Sequence, residues 1–176
     1  MAREQDTTLA ALQSAIQMEI DGKEFYLKSG KVSTNDLGKK LLTKLAGEED
    51  IHRKVFEGIY KKISANKGWP ETKISQDRIQ GLKTLFAEAI KAMGKDTKTI
   101  PTELGAVQTA MDMENKTYDF YKKRSGLATY SGEKQLYEEI AAQEKEHHRL
   151  LLDYFEFLKN PAAWFVQREH SSVDGG

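Results

Sequence analysis

Apolar residues recur along this chain at steps of three and four, the spacing that gathers side chains on one face of an α-helix. A first stripe, from about Thr7 to Ser29, runs through Leu9, Leu12, Ile16, Glu19 and Tyr26. A second follows the capping-type cluster Ser33-Thr34-Asn35 and runs through Leu42, Leu45, Glu49, His52, Phe56, Ile59 and Ile63. From about Ser64 to Pro101 the pattern loosens into a connection that contains GWP. It also holds one shorter amphipathic helix with Ile79, Leu82, Phe86, Ile90 and Met93 turned inward. A third long helix is predicted to begin near Pro101-Thr102, with Val107, Met111, Glu114, Tyr118 and Tyr121 on its stripe. A fourth opens at Ser131-Gly132 and carries Tyr137, Ile140, Glu144, His147, Leu151, Tyr154 and Leu158. Beyond Pro161 a tail is expected, AAWFVQREHSSVDGG, with an aromatic start that packs and a mobile end.

Each long stripe contains the same anomaly: an acid, or an acid and an imidazole, where a core residue is expected. An internal repeat shows that these interruptions are related. Shifting the chain by 95 residues lays 15-AIQMEIDGKEFYLK-28 over 110-AMDMENKTYDFYKK-123, with six of fourteen positions identical, Glu19 on Glu114 among them. The same ungapped shift carries Glu49 onto Glu144 and His52 onto His147. Each half therefore reads as a helix bearing a Glu and, 30 residues on, a helix bearing Glu-x-x-His.

Two short loops and one long one predict two antiparallel hairpins joined by a crossover, a four-helix bundle over residues 1–160 with a tail at 161–176. The six polar residues sit near the middle of their helices, so in antiparallel helices of similar length they converge at half height. Residues three apart share a helix face, which lets each Glu and His reach a common point.

Four carboxylates cannot sit in a core unaided, because burying an unpaired charge costs several kcal/mol per ion even after relaxation. The nearest cation on the seams is Lys23, one turn from Glu19 and long enough to snorkel outward. Two divalent cations balance four carboxylates, and neutral histidines add two nitrogen donors. Hard oxygens with imidazole suit iron, or manganese, better than a thiol-seeking metal.

Composition narrows the chemistry further. With 27 basic and 27 acidic side chains the chain is neutral, which offers no electrostatic footprint for nucleic acid or an anionic membrane. It has no cysteine, so disulfides, iron–sulfur centres and thiol catalysis are excluded within it. No segment approaches the roughly 20 apolar residues of a membrane span, and MAREQDTTLA has no signal-peptide core; a soluble, cytoplasmic protein is expected.

With Glu19, Glu49-x-x-His52, Glu114 and Glu144-x-x-His147 laid out this way, the chain resembles the rubrerythrin branch of the ferritin-like superfamily over about residues 7–160. "AIQMEIDGKEFYLK" and "EEIAAQEKEHHRLLLDYF" are similar to that family's first and last bundle helices. The resemblance implies an all-α, ferritin-like four-helix bundle holding two iron ions. Glu49 and Glu144 would bridge them, Glu19 and His52 would complete one, and Glu114 and His147 the other. It also implies reduction of peroxide or O₂, an external electron donor protein and a homo-oligomer, a dimer for an enzyme. Iron binding and storage in a larger shell is the alternative function, and a metal-free structural bundle a third.

Two departures from the family matter. Rubrerythrins carry a four-cysteine rubredoxin-type iron centre, for which this chain has no residues, so its reductant is expected from outside. They also carry an extra Glu three residues after the ligand of the third long helix, where this chain has Thr117. That departure points to a symmetric six-ligand site closer to the bacterioferritin type.

Other residues leave open readings. Tyr26 and Tyr121, seven residues after the Glu of their helices, either donate hydrogen bonds to the site's carboxylates or simply fill the core. Glu48 and Gln143, one turn before His52 and His147, either orient the imidazoles or face solvent. His148 and His170 are expected at the surface, and Trp164 and Phe165 over a bundle end or at a subunit contact.

Overall fold

The computed structural model describes residues 2–99 and 101–173, and the side chains of 5–99 and 101–169. Among these residues there are six helices and no strand: α1 Ala2–Val32, α2 Asp36–Ser64, α3 Asp77–Met93, α4 Pro101–Gly126, α5 Ser131–Lys159 and α6 Pro161–Val173. No described helix is long and apolar enough to cross a membrane.

The helix termini follow local chemistry. The Asn35 side chain accepts from the Gly38 amide and caps α2 at the predicted cluster. Gly94 ends α3 at φ 75°, a left-handed backbone that glycine adopts without strain. α1 is longer than the stripe suggested, because its apolar face runs out before its helix-compatible residues do. The sharpest difference lies at Pro161, expected to begin a tail beyond the bundle helices. A proline is tolerated at the first position of a helix, where no amide is needed, and the Asn160 side chain accepts from the Ala163 amide at 3.0 Å. The tail is thus helical as α6 through Val173. Its aromatic start packs as expected, Trp164 and Phe165 meeting Phe157 edge-on at 5.8 and 6.2 Å between ring centroids. The last residues, 174–176, and the side chain of His170 lie outside those described.

Side-chain bonds fix the directions of the four long helices. Gln5 donates to the Ile63 carbonyl at 2.9 Å and Lys23 pairs with Asp50 at 2.7 Å, so α1 and α2 run antiparallel. Arg124 lies 3.6 Å from Glu133 and Tyr154 donates to Glu103 at 2.9 Å, which sets α4 against α5 in the same way. Glu103, in the first turn of α4, gathers hydrogen bonds from Ser33, from Thr34 Oγ1 and Asn35 Nδ2 at 2.9 Å each, and from Tyr154. The α1–α2 turn, the start of α4 and the far part of α5 therefore share one end of the bundle. Gly38 is required there: a Cβ would come within 2.5 Å of both Glu103 and Tyr154.

The apolar interior is split into two clusters. One contains Leu37, Leu41, Leu42 and Leu45 of α2 with Val107, Ala110, Leu151 and Phe157, and α3 adds Ile79, Leu82, Phe86 and Ile90. The other contains Leu12 and Ala15 with Phe56, Ile59, Ile63, Tyr121, Tyr137 and Ile140. On α2, Leu45 belongs to the first cluster and Phe56 to the second; on α5, Ile140 belongs to the second and Leu151 to the first. The division falls at the acid and imidazole of each stripe.

Candidate metal centre

Between the two clusters, α1 contributes Glu19, α2 Glu49 and His52, α4 Glu114, and α5 Glu144 and His147. None is more than 2% exposed, so none relies on bulk water for its polar groups. The helical period brings them together, since each Glu-x-x-His pair projects both side chains inward from one face. Two groups form, Glu19–Glu49–His52–Glu144 and Glu49–Glu114–Glu144–His147, in each of which one ligand-type atom per residue lies within 4.8 Å of the others. Glu49 and Glu144 belong to both. The imidazoles lie side by side, 6.0 Å between centroids and 19° from parallel.

The hydrogen bonding is one-sided. Tyr121 donates to Glu19 Oε1 and Tyr26 to Glu114 Oε1, each tyrosine crossing to the helix that carries the other. Thr117 Oγ1 lies 3.4 Å from Glu144 Oε2. Gln143 commits its amide nitrogen to the Ser75 carbonyl at 3.4 Å, which turns its oxygen toward His52 Nε2 at 2.8 Å. In its neutral form His52 would then carry its proton on Nε2 and leave Nδ1 as a lone pair facing the cluster. One inward atom on every residue, Glu19 Oε2, Glu49 Oε1, His52 Nδ1, Glu114 Oε2, Glu144 Oε1 and His147 Nδ1, finds no partner outside the cluster; these atoms meet only the cluster's own groups, His52 Nδ1 lying 3.0 Å from Glu144 Oε1 and His147 Nδ1 3.5 Å from Glu49 Oε1. Buried polar atoms are nearly always satisfied, so six such atoms aimed at one place mark a site shaped for cations.

Protonation in the absence of a cation points the same way. Burial first, then the charges of Glu144, Glu19 and Glu114, push the Glu49 carboxyl far up. Burial and Glu144 push Glu114 up to about 8. Burial alone would lower both histidines, but Glu19 and Glu144 hold His52, and Glu114, Glu144 and Glu49 hold His147, well above the usual imidazole range. Glu144 goes the other way, lowered against its burial by hydrogen bonds with Glu114, His147 and His52. The residues retain protons because four carboxylates this close cannot all be charged alone.

The six sequence-predicted site residues are thus brought together, and the two tyrosines serve both of their open readings at once, buried in the core and bonded to the carboxylates. Glu48 and Gln143 are both buried, at 3% and 1% exposure, which removes the solvent-facing reading. Only Gln143 orients an imidazole. Glu48, its counterpart, is held by Arg78 of α3 at 2.9 and 3.1 Å, and His147 Nε2 has no partner. Lys23 does snorkel outward, to Asp50, and His148 is half-buried outside the cluster. Ser75, Arg78 and Gly22, which also borders Glu49, drew no attention in the sequence. For Gly22 the repeat itself was the signal, since it falls on Thr117.

A sequence model of the rubrerythrin family matches residues 10–155, a span that includes all six polar residues of the belt. Comparison with curated proteins and with solved structures returned no match. The family is one of di-iron carboxylate proteins, and the buried Glu/His cluster fits a metal site of that kind. By that match over most of its length, the chain belongs to the rubrerythrin family.

Proposed function

We propose that this protein is a non-haem di-iron oxidoreductase that reduces peroxide or O₂, its metals held by Glu19, Glu49, His52, Glu114, Glu144 and His147. Glu49 and Glu144 are the bridging ligands in this reading, because each belongs to both groups of converging atoms. The observation that carries the proposal is the set of six buried atoms, one per residue, that have no partner outside the cluster and are turned toward one another. Two iron ions, when bound, supply a two-electron couple that a lone ferrous ion or a redox-inert ion lacks.

The surrounding residues have definable work. Tyr26 and Tyr121 hold their hydroxyl protons against Glu114 and Glu19, with burial raising both phenols so that they stay neutral donors. Gln143 fixes the tautomer of His52. The apolar clusters above and below keep bulk water from those two sides of the polar residues, which strengthens their electrostatics. Electrons are expected from a separate donor protein.

The test is anaerobic titration with Fe(II), with metal counted by elemental analysis, followed by rapid mixing with hydrogen peroxide. Two irons per chain and loss of two electrons per site, complete faster than free Fe(II) oxidises, are expected. A chain that takes up no stoichiometric metal overturns the proposal.

A further inference from the structure

A cavity of about 230 Å³ opens between α1 and α4 and reaches inward to Glu49 and Glu114. Its walls repeat the 95-residue offset: Met18 and Met113 both line it, as do Gly22 and Thr117. At the second of these pairs the walls differ in kind. Gly22 is buried and has no side chain, and a Cβ there would stand 3.0 Å from Glu49 Oε2, so that carboxylate packs directly on bare backbone at the cavity wall. Thr117 has one. Its hydroxyl donates back to the Met113 carbonyl at 3.0 Å and lies 3.4 Å from Glu144 Oε2, and the residue is 7% exposed. The two shared carboxylates, equivalent by the repeat, are therefore unequal in access: Glu49 lines the cavity, whereas Glu144, met by the Thr117 hydroxyl, does not.

We propose that small exogenous ligands reach the paired centre from the Glu49 side, through the α1–α4 cavity that Gly22 keeps clear of a side chain, while Thr117 shields Glu144 from it. The inference rests on the di-metal reading above and adds direction and size to it. A 230 Å³ cavity is smaller than the roughly 300–1,000 Å³ pockets that hold organic ligands. The fitting class is ligands of about two to four atoms, such as O₂, hydrogen peroxide or azide. The thioethers of Met18 and Met113 add uncharged, adaptable walls.

Two measurements test this, one of them independent of metal. The chain has no cysteine, so Gly22→Cys places a single thiol at the cavity wall. That thiol should react readily with methyl methanethiosulfonate and about a hundredfold more slowly with fluorescein maleimide, each rate normalised to the unfolded chain. Equal protection from both reagents, or from neither, overturns the proposal. The second variant, Gly22→Thr, installs at 22 the side chain that 117 carries, and threonine is a better helix former than glycine. Loaded anaerobically with Fe(II) and compared at equal metal occupancy by elemental analysis, it should bind azide, followed by absorption, at least about tenfold more weakly. Unchanged azide binding at equal occupancy also overturns the proposal. If the unmodified chain takes up no metal, the di-metal reading falls while the thiol measurement still decides the cleft.

Discussion

The two halves of the repeat agree where they face each other and diverge where they face anything else. Glu19 and Glu114, Glu49 and Glu144, His52 and His147, and Tyr26 and Tyr121 occupy matching places, and even the crossed tyrosine bonds are mirrored. Around them the match fails. Gln143 bonds His52, but its counterpart Glu48 is drawn away by Arg78 of α3, a position that the 95-residue offset carries onto Val173. Thr117 meets Glu144, whereas Glu49, packed on Gly22, lines the α1–α4 cavity. A paired centre needs both halves to supply the same donors at the same height, so that layer is held to the symmetry. Outside it, each half answers to its own neighbours.

Experiments that disturb the halves separately test this contrast. The largest effect is expected from removing the shared carboxylates. Glu49→Ala with Glu144→Ala should abolish stoichiometric metal binding and with it the rise in thermal midpoint on adding Fe(II) anaerobically, because only binding to the folded chain stabilises it. Full metal content in that double variant would sink the assignment of the centre.

Next is pH. Glu114, raised from an ordinary 4.5 to about 8, and His52 and His147, raised above 6.5, bind protons more tightly folded than unfolded. Their contribution is complete below the unfolded values and is lost as pH rises through the folded ones. Glu144 acts in the opposite sense, but its lowered value confines its loss to acid below about 4.5. The metal-free protein should therefore lose thermal stability as pH rises from about 5 to 8. With metal bound the stabilisation should instead grow over the same range, since the ligands must be deprotonated. Parallel melting curves with and without chelator check both slopes; parallel pH trends would contradict the charge arrangement of the belt.

A smaller effect separates the halves directly. Gln143→Leu leaves His52 Nε2 without its partner and should weaken metal binding about 10- to 100-fold. Glu48→Leu, at the matching position, should leave metal affinity nearly unchanged while destabilising the fold by at most about 1 kcal/mol, because solvent takes up the charge of the exposed Arg78. Equal losses of affinity would mean that Glu48 does orient His147. The smallest contrast is between Tyr26→Phe and Tyr121→Phe. Each removes one hydrogen bond to a carboxylate, worth roughly 1.5–3 kcal/mol, and the mirrored geometry predicts equal shifts in metal affinity by competition titration. A clear inequality would show that the symmetry of the layer is broken at the tyrosines.

Much of this was legible in the chain. Period and spacing marked the four long helices, the short α3 and the six polar positions, because each depends on side chains a few residues apart on one helix. α6 was missed because Pro161 reads as a stop unless Asn160 is recognised as its cap. Arg78 and Ser75 were missed for a different reason: nothing in their local sequence ties them to residues 30 and 68 positions away.

The sequence by itself determined that two equivalent sets of Glu and His would meet in an apolar interior, since helical periodicity and a repeat are properties of the chain alone. Only the tertiary structure decided which tyrosine serves which glutamate, which imidazole is tethered and which carboxylate is covered. Those outcomes depend on where α3 docks and on the space left between α1 and α4, and packing of distant segments has no period to read.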